Sequence, residues 1–331
     1  MRILNRTDVQ QSLTHAECVQ VMDDAMRAVS ERNVEMPLRQ FMAVPKTSGK
    51  LGMMPGYIIA KYKTETRETF GIKIVSKFPR EPHSPHSTHV GAVLIFDAEE
   101  GLPIALLDGR ELTAIRTSAT SALATRLLAR TNASTLTLFG CGEEASHHIK
   151  AILSVCNIQK IIVWGRNPDR AKVFASNEVL PAGVDITVED NAESAVKAAD
   201  ILCTVTSATN PILLGKWLQA GTHVNLVGAA VRASSEADTD VVRRSRFYVD
   251  YLPSALEQAG ELVNAIEAGV VTPEHIVGEI GQVLLQEVPG RESDHDITVY
   301  KSLGVSAQDL AAGLHAANNA SERGIGIEIE W

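Results

Sequence analysis

The sequence predicts an α/β protein of two domains, one built on a parallel sheet and a smaller one of mixed α+β structure. From residue 134 onward, short apolar strands alternate with helical segments, which is the pattern of a parallel sheet covered by helices. The stretch 36–116 instead indicates strands and loops. The length of 331 residues also corresponds to two domains of about 100–200 residues each.

The smaller domain is predicted over residues 1–117 and 306–331. Residues 1–30 begin with a short apolar strand and continue into a helical pattern at Ala16–Val29. Apolar or alternating runs, broken by Gly, Pro and polar turns, predict strands at Met53–Ile59, Gly71–Lys77, Gly91–Asp97 and Ile104–Asp108. Long helices are predicted at Arg116–Arg130 and Ala307–Ser321.

The parallel-sheet domain is predicted over residues 118–305. Its strands are expected at Thr135–Phe139, Ile161–Trp164, Val184–Val188, Ile201–Thr206, Val224–Val227, Phe247–Asp250 and Asp296–Tyr300. Helices are expected between them at Glu144–Val155, Asp169–Ser176, Ala192–Ala198 and Asp238–Arg243. Because strands and helices take turns along the chain, neighbouring strands are expected to run parallel.

The composition is typical of a globular protein, with 45% hydrophobic and 21% charged residues. The formal net charge of −9 argues against a nucleic-acid partner, which requires a clustered excess of Lys and Arg. A few local cations can nevertheless dominate the electrostatic potential of a small pocket, so the negative net charge does not exclude an anionic substrate.

The four cysteines, Cys18, Cys141, Cys156 and Cys203, are scattered and form no Cys-x-x-Cys pair. This spacing argues against a disulfide framework and a structural zinc, and free thiols fit a reducing compartment. The sequence MRILNRTDVQ lacks the apolar stretch of a signal peptide, and no run of about 18 apolar residues predicts a membrane span. We therefore expect a cytoplasmic protein with no membrane contact.

A glycine turn follows the first strand of the parallel-sheet domain. Gly140, Gly142 and Ala145 form a Gly-x-Gly-x-x-Ala pattern between an apolar strand and a helix, which is the context of a dinucleotide-binding Rossmann domain. Gly140 permits the tight turn, and Gly142 lets the backbone approach a pyrophosphate at the helix N-terminus. A tight turn without a ligand is the alternative.

The end of the second strand discriminates between NAD(H) and NADP(H). An Asp or Glu there would accept hydrogen bonds from the ribose 2′-hydroxyl of NAD. This chain instead has Trp164-Gly165-Arg166-Asn167, and an Arg without an acid fits a 2′-phosphate. The sequence therefore favours NADP(H), with NAD(H) possible if Arg166 merely stacks on the adenine.

Two further features carry candidate chemistry. Lys73 lies inside an apolar strand pattern, where it either snorkels to solvent or acts as an acid/base group. His83, His86 and His89 recur at every third position in a Pro-containing polar loop, and we expect no metal site there. His89, beside Thr88, is a candidate substrate contact or alternative proton donor.

Segments along the whole chain carry a family resemblance. They are MPLR at 36–39, GMMPGY at 52–57, GIKIV at 71–75, DGRELTAIRTSATSALAT at 108–125, TVTSATNPILLGKW at 204–217, HVNLVGA at 223–229 and TVYKSLG at 298–304. Through these segments the chain resembles the ornithine cyclodeaminase/mu-crystallin family. Members of this family are typically homodimers and include imine and ketimine reductases, amino-acid dehydrogenases, cyclodeaminases and a thyroid-hormone-binding crystallin.

The resemblance implies roles for particular residues. Arg39 and Lys73 match residues that hold the substrate carboxylate, and Lys73 is the best acid/base candidate. Arg116 matches a dinucleotide contact that also lies near the substrate, and Ala229 is a further expected substrate contact. The expected cofactor contacts include the residues of the glycine turn and of the end of the second strand. Together they are Thr88, Arg116, Thr117, Gly140, Gly142, Glu143, Glu144, Arg166, Asn167, Thr206, Ser207, Val227, Gly228, Ser302 and Leu303. The smaller domain is then expected to bind substrate and form the dimer.

One departure from the family pattern bears on function. Cyclodeaminases carry an Asp two residues after the glycine that Gly228 matches, and this chain has Ala230 there. The leading expectation is therefore NAD(P)H-dependent reduction of a small cyclic or linear α-imino acid, with amino-acid dehydrogenation as its reverse. A cyclodeaminase and a non-catalytic, crystallin-like binding protein are the alternatives.

Overall fold

The computed structural model describes residues 1–63, 65–79 and 87–330. They form two compact units, Met1–Thr117 with Val305–Trp331 and Ser118–Gly304. The helices are α1 (Arg6–Ser12), α2 (His15–Ser30), α3 (Gly109–Leu128), α4 (Glu143–Leu153), α5 (Pro168–Asn177), α6 (Ala192–Lys197), α7 (Thr239–Arg244), α8 (Leu252–Gln258), α9 (Gly260–Glu267), α10 (Ile280–Leu284) and α11 (Ser306–Arg323).

The strands belong to two sheets, one in each unit. They are β1 (Arg2–Leu4), β2 (Val34–Glu35), β3 (Gln40–Ala43), β4 (Lys50–Tyr62), β5 (Glu65–Lys77), β6 (His89–Asp97), β7 (Pro103–Asp108), β8 (Thr135–Phe139), β9 (Lys160–Trp164), β10 (Asp185–Val188), β11 (Ile201–Thr204), β12 (His223–Leu226), β13 (Arg246–Val249), β14 (Ile276–Glu279), β15 (Thr298–Lys301) and β16 (Ile327–Glu328). None of the helices in the described parts of the chain is both long and apolar enough to cross a membrane.

The first unit contains a mixed sheet in the order β16-β1-β7-β6-β5-β4-β2, with β3 paired to β4. Strands β4, β5 and β6 are antiparallel neighbours, so their side chains alternate between two faces. The inner face packs against α11 and α2, and it carries buried residues such as Met54, Val93 and Ile95. This packing makes the inner face the core of the first unit.

Two glycines on the inner face let α11 lie directly on the sheet. A Cβ atom on Gly71 would lie 2.2 Å from the carbonyl oxygen of Leu94 and 2.9 Å from Cδ2 of Leu310. A Cβ atom on Gly56 would lie 2.4 Å from Oγ of Ser306. The absence of these side chains therefore brings the first turn of α11 close to β4 and β5.

The outer face of the same three strands is also apolar, yet none of its side chains is buried. Phe70 and Phe96 stack on this face with ring centroids 5.1 Å apart. The apolar residues in the middle of this outer face are Met53, Pro55, Tyr57, Phe70, Ile72, Ile74, Val90, Ala92, Leu94 and Phe96. A sheet with two apolar faces has more apolar surface than α11 and α2 cover.

The second unit contains a parallel sheet in the order β10-β9-β8-β11-β12-β15-β13-β14. Short apolar strands form its centre, with Phe139, Leu202, Val224 and Val299 in one buried cluster. The alternation of strand and helix that predicted an α/β fold with a parallel, Rossmann-type sheet is confirmed.

The sequence prediction failed at several elements. Helix α3 begins at Gly109 rather than Arg116, so the last residues of the stretch 36–116 are helical. Asp108 explains this start, because its Oδ1 accepts a hydrogen bond from the Glu111 backbone N–H at 2.8 Å and so caps the first turn. Helices α1, α8, α9 and α10 and strand β14 were not predicted.

Candidate functional site

A buried ion pair between β5 and α11 forms the centre of the candidate site in the first unit. Lys73 points from β5 to the inner face and is only 3% exposed. Its Nζ lies 2.9 Å from Oδ1 and 2.8 Å from Oδ2 of Asp309, in the first turn of α11. Lysine is rarely buried without a partner, and Asp309 supplies that partner.

Arg116 of α3 binds the same carboxylate. Its Nε donates to Oδ1 of Asp309 at 2.9 Å, and its Nη1 donates to Oε1 of Gln308 at 2.8 Å. Arg116 is only 4% exposed. Asp309 therefore holds two cations, Lys73 and Arg116, on one side of the sheet.

The surroundings of Lys73 bring its pKa close to neutral pH. Burial, together with the charges of Arg116 and Arg39, lowers the pKa of Lys73 to about 7, although the charge of Asp309 acts in the opposite direction. Burial raises the pKa of Asp309, but the charges of Arg116 and Lys73 outweigh it and hold that pKa below its ordinary value. Asp309 is therefore a carboxylate, and Lys73 can give or take a proton near pH 7.

Two other predicted substrate residues, Arg39 and His89, lie in the first unit, whereas the predicted contact Ala229 is buried in the second unit. Arg39 is partly buried, and its charge acts on Lys73. Thr88 and His89 are exposed at the start of β6, where Thr88 Oγ1 and His89 Nδ1 are 3.0 Å apart. Partial burial, with Lys77 and Lys73 nearby, lowers the pKa of His89 to about 4. His89 is then neutral at pH 7, so Lys73 is the better proton donor.

Three other positions that the sequence analysis singled out belong to residues 1–117. Thr117 lies buried on α3, one residue after Arg116. His83 and His86 lie outside the described residues. The expectation that this histidine segment holds no metal therefore stays a prediction.

The glycine turn lies between β8 and α4 in the second unit. Gly140 has a φ of +123°, and a Cβ atom there would lie 2.9 Å from the Val205 carbonyl oxygen, so only glycine fits without strain. Gly142 is the N-cap of α4, makes no side-chain cap, and has open space where a Cβ atom would lie. Glu143 and Glu144 begin the helix. The turn thus leaves room for a pyrophosphate in front of the helix N–H groups.

The end of β9 places Arg166 and Asn167 next to α5. The Asn167 side chain accepts a hydrogen bond from the Arg170 backbone N–H at 3.0 Å, so Asn167 caps the helix. Arg166 is exposed, and the strand ends in Trp164 rather than in an acid. This end of the strand is open to an anionic group.

A buried carboxylate that the sequence analysis missed holds the ends of β11 and β12. Oε1 of Glu236 accepts hydrogen bonds from the Thr206 backbone N–H at 2.8 Å and from Thr206 Oγ1 at 2.6 Å. Its Oε2 accepts from Thr204 Oγ1 at 2.8 Å and from the backbone N–H groups of Gly228 at 2.7 Å and Ala229 at 3.3 Å. Burial raises the pKa of Glu236, while the hydrogen bonds from Thr206 lower it.

A second ion pair supports this carboxylate. Nζ of Lys301 lies 2.9 Å from Oε2 of Glu261 and donates to the Ala229 carbonyl oxygen at 2.5 Å. Oε1 of Glu261 accepts from the Glu236 backbone N–H at 2.9 Å. Both ion-pair side chains are fully buried. The ends of β12 and β15 are therefore tied together through charged side chains.

Asp250 holds the end of β15 in the same way. Its Oδ2 accepts from the backbone N–H groups of Leu303 at 2.8 Å and Gly304 at 2.7 Å. The predicted cofactor contacts Ser302 and Leu303 belong to this segment, and both are buried. Ser207 is exposed beyond β11, and Val227 is buried beyond β12. The structure thus gathers the predicted ribose and nicotinamide contacts at the carboxyl ends of three neighbouring strands, which is where such sheets bind ligands.

A family model for ornithine cyclodeaminase and mu-crystallin matches residues 1–324. The chain belongs to the ornithine cyclodeaminase/mu-crystallin family. The likeness therefore covers both compact units, and the resemblance drawn from the separate sequence segments is confirmed.

Reductases of cyclic imino acids are among the relatives. The Delta(1)-pyrroline-2-carboxylate reductase of Bacillus cereus is 31% identical over 332 residues, which covers 100% of both chains. A solved structure of the Thermococcus litoralis enzyme, in complex with NADH and L-proline, has a TM-score of 0.93 and 31% identity and covers 99% of this chain and 100% of its own. An archaeal alanine dehydrogenase dimer with bound NAD has a TM-score of 0.90 and 28% identity, over 100% of this chain and 99% of its own.

Replacing Asp309 by Asn tests the electrostatic link between this carboxylate and Lys73. We expect Asp309→Asn to lower the pKa of Lys73 below about 7, because it removes the negative charge that favours the ammonium form. The pKa is measured by NMR titration of the lysine side chains, with the Lys73 signal assigned from Lys73→Arg. Asp24→Asn, which removes a surface carboxylate paired with Lys61, is the control. An unchanged or raised pKa in Asp309→Asn contradicts the link.

Proposed function

We propose that this chain is an NAD(P)H-dependent reductase of a small α-imino acid, which gives an L-amino acid and runs in reverse as an amino-acid dehydrogenase. The observation that carries the proposal is the buried cluster of Lys73, Arg116 and Asp309 on the inner face of the first unit. The family relatives that reduce the C=N bond of pyrroline-2-carboxylate support it.

The cations bind and orient the substrate. Arg39 offers a guanidinium group, which matches a carboxylate in a planar, bidentate way. Arg116, whose Nε and Nη1 are engaged by Asp309 and Gln308, adds positive charge. Asp309 and Gln308 hold Arg116 in a fixed orientation, so little side-chain entropy is lost when a substrate binds. The carboxylate of an imino acid is adjacent to its C=N carbon, so fixing the carboxylate also fixes the reacting bond.

Lys73 supplies the proton. Its ammonium form donates a proton to the imine nitrogen, which makes the C=N carbon more electrophilic and leaves the product nitrogen as an amine. A bound reduced nicotinamide supplies the hydride that this carbon accepts. Because the pKa of Lys73 is about 7, both its acid and its base forms are populated at neutral pH, as a reversible reaction requires.

This chain lacks the acidic residue that cyclodeaminases carry two positions after the glycine that Gly228 matches. Ala230 stands where cyclodeaminases carry an acid, and a methyl group can neither bind nor orient a second amine. A non-catalytic, crystallin-like binding protein would not require a lysine adjusted to neutral pH. Ammonia release from ornithine without net use of the dinucleotide is the result that would favour the cyclodeaminase.

Lys73→Ala tests the catalytic role. We expect kcat for reduction of pyrroline-2-carboxylate to fall by about 10²–10⁴-fold, the usual contribution of a positioned proton donor. The circular dichroism spectrum and the affinity for the dinucleotide, measured by protein fluorescence, should stay near those of the wild type. Lys61→Ala, which removes an exposed lysine of the neighbouring strand, is the control and should leave kcat unchanged. Near-normal turnover in Lys73→Ala would remove this lysine from the mechanism.

We infer that NADP(H) is the preferred cofactor. The support is the exposed Arg166 at the end of β9, where no acid follows the strand to bind a ribose 2′-hydroxyl. The Asn167 side chain caps α5, and Arg166 beside it is exposed and available to a 2′-phosphate.

Arg166→Asp tests the cofactor preference. Replacing the cation by an acid should lower kcat/KM for NADPH and raise it for NADH, since the acid repels a phosphate and accepts from a hydroxyl. Lys172→Asp makes the same change of charge at an exposed site of α5 and should leave the NADPH to NADH ratio unchanged. An unaltered ratio in Arg166→Asp would refute the assignment.

We also propose that the chain forms a homodimer through the outer face of the first unit's sheet. An apolar face that its own helices leave open is a typical interface between subunits. Phe70 and Ile74 are exposed on this face, and the archaeal alanine dehydrogenase relative is a dimer.

We also propose a cytoplasmic location. The four free cysteines fit a reducing compartment, which supports this location.

Ile74→Glu tests the dimer interface. The wild type should sediment with twice the chain mass of 35.7 kDa. Ile74→Glu should sediment as a monomer or dissociate at a higher concentration, because a charge would be buried in the interface. Val173→Glu introduces the same charge at an exposed apolar position of α5 and should stay dimeric. A wild-type monomer at micromolar concentration would rule out this interface.

A further inference from the structure

Two further lysines lie on the inner face of the sheet beyond Lys73. Lys50 of β4 and Lys77 of β5 are opposite each other in the strand register, and His89 of β6, which is neutral at pH 7, is opposite Lys77 on its other side. Lys77 is on the same face as Lys73, because their positions differ by an even number of residues. The inner face therefore presents two levels of cationic groups, one at Lys73 and one at Lys77.

The second level is open rather than covered by α11. The helix begins at Ser306, and its first turn reaches Lys73 through Asp309. Lys50 and Lys77 are both exposed. Between the two levels, Gly52 and Gly91 flank Val75 in the register, and the exposed ring of Phe41 from β3 lies over Gly52, with its Cε1 3.1 Å from where a Cβ atom would be. A small molecule that extends from one level to the other would therefore pass over Val75 and Gly91, beside this ring.

The two levels also differ in how their charge is balanced. At the first level, Asp309 neutralises part of the charge of Lys73 and Arg116. Lys50 and Lys77 have no carboxylate partner in the described ranges 1–63, 65–79 and 87–330. Burial lowers the pKa of Lys77, and the charges of Lys50 and Arg39 lower it further. A single substrate carboxylate at the first level leaves this second positive charge uncompensated.

We propose that the substrate is an α-imino acid with a second carboxylate on its side chain, and that Lys77 and Lys50 bind this second carboxylate. The proposal rests on the proposed reductase function and specifies its substrate class. The Cα atoms of Lys73 and Lys77 are four residues apart, or about 13 Å along the strand. Lys73 is held in place by Asp309, whereas Lys77 is exposed and has a long, flexible stem, so the Lys77 ammonium group can approach Lys73 to within the length of a short dicarboxylic acid.

The first experiment compares acidic and neutral substrates of similar size. Imines formed from oxaloacetate or 2-oxoglutarate with ammonia are compared with those formed from pyruvate or 2-oxobutyrate, at constant ionic strength. The wild type should have the higher kcat/KM for the dicarboxylic substrates. Lys77→Met should lower kcat/KM for these by about 10-fold, mainly through KM, which is the size of one charge-assisted hydrogen bond. Lys61→Met is the matched control, and the monocarboxylic substrates should be unaffected in both variants.

The second experiment measures binding without turnover. Thermal unfolding of the protein with bound NADP+ is followed in L-glutamate against L-glutamine and in L-aspartate against L-asparagine. Each pair has the same shape and differs in one charge. The wild type should gain a larger increase in Tm from the acid than from the amide, and Lys77→Met should lose this difference.

Three results would overturn the proposal. The first is a wild type that prefers monocarboxylic substrates and amides. The second is an equal loss in Lys77→Met for both substrate classes. The third is a raised KM for NADPH with every substrate, which would assign these cations to the dinucleotide. Reduction of monocarboxylic imines alone would end this inference and leave the reductase function intact, whereas no reduction of any imine would end both.

Discussion

The carboxylate of Asp309 is the constraint on which the first unit's chemistry depends. It lies within 2.9 Å of both Lys73 and Arg116, and all three side chains are buried. Removing two cations from water carries a large desolvation cost, which only a well-placed anion can offset. One anion for two cations, however, leaves a net positive charge. The site is therefore stable enough to fold and still attracts an anionic substrate.

In the second unit the buried group is an anion, Glu236, and its partners are backbone N–H groups and hydroxyl groups rather than cations. Glu236 accepts three backbone N–H groups and two hydroxyl groups at the ends of β11 and β12. The carboxyl ends of parallel strands must turn away into loops, and those loops have backbone donors that the sheet no longer pairs. A buried carboxylate satisfies these donors and holds two loops in one arrangement. The predicted cofactor contacts at Thr206 and Gly228 are thus parts of a rigid rim.

The sequence predicted the features that local pattern determines. Strand and helix alternation gave the parallel sheet, and Gly140 and Gly142 marked the turn between β8 and α4. Lys73 and Arg116 were identified through family resemblance, because a single lysine in an apolar strand has no distinctive local pattern.

The residues that the sequence analysis missed are those that act through distant contacts. Asp309 is 236 positions from Lys73 in the chain, and Glu236 is 30 positions from Thr206. Neither acid belongs to a local motif, and an acid in the first turn of a helix is ordinarily read as favourable to the helix dipole. The one available signal was a polar Gln308-Asp309 pair at the start of an Ala- and Leu-rich helix, and it becomes informative only when the helix is known to be buried.

Strand β5 connects the proposed substrate site with the proposed dimer interface. Its side chains alternate, so Lys73 points to the inner face and Ile74 points to the outer face. A shift of the strand by one residue would exchange these faces and place a charge in the interface and an apolar group in the site. Gly71 opposes such a shift, because a neighbouring residue with a side chain would then lie under α11, where only glycine fits. The alternation of side chains along β5 thus forms both the substrate site and the interface. A change that disturbs the packing of the outer face is therefore expected to alter the position of Lys73 as well.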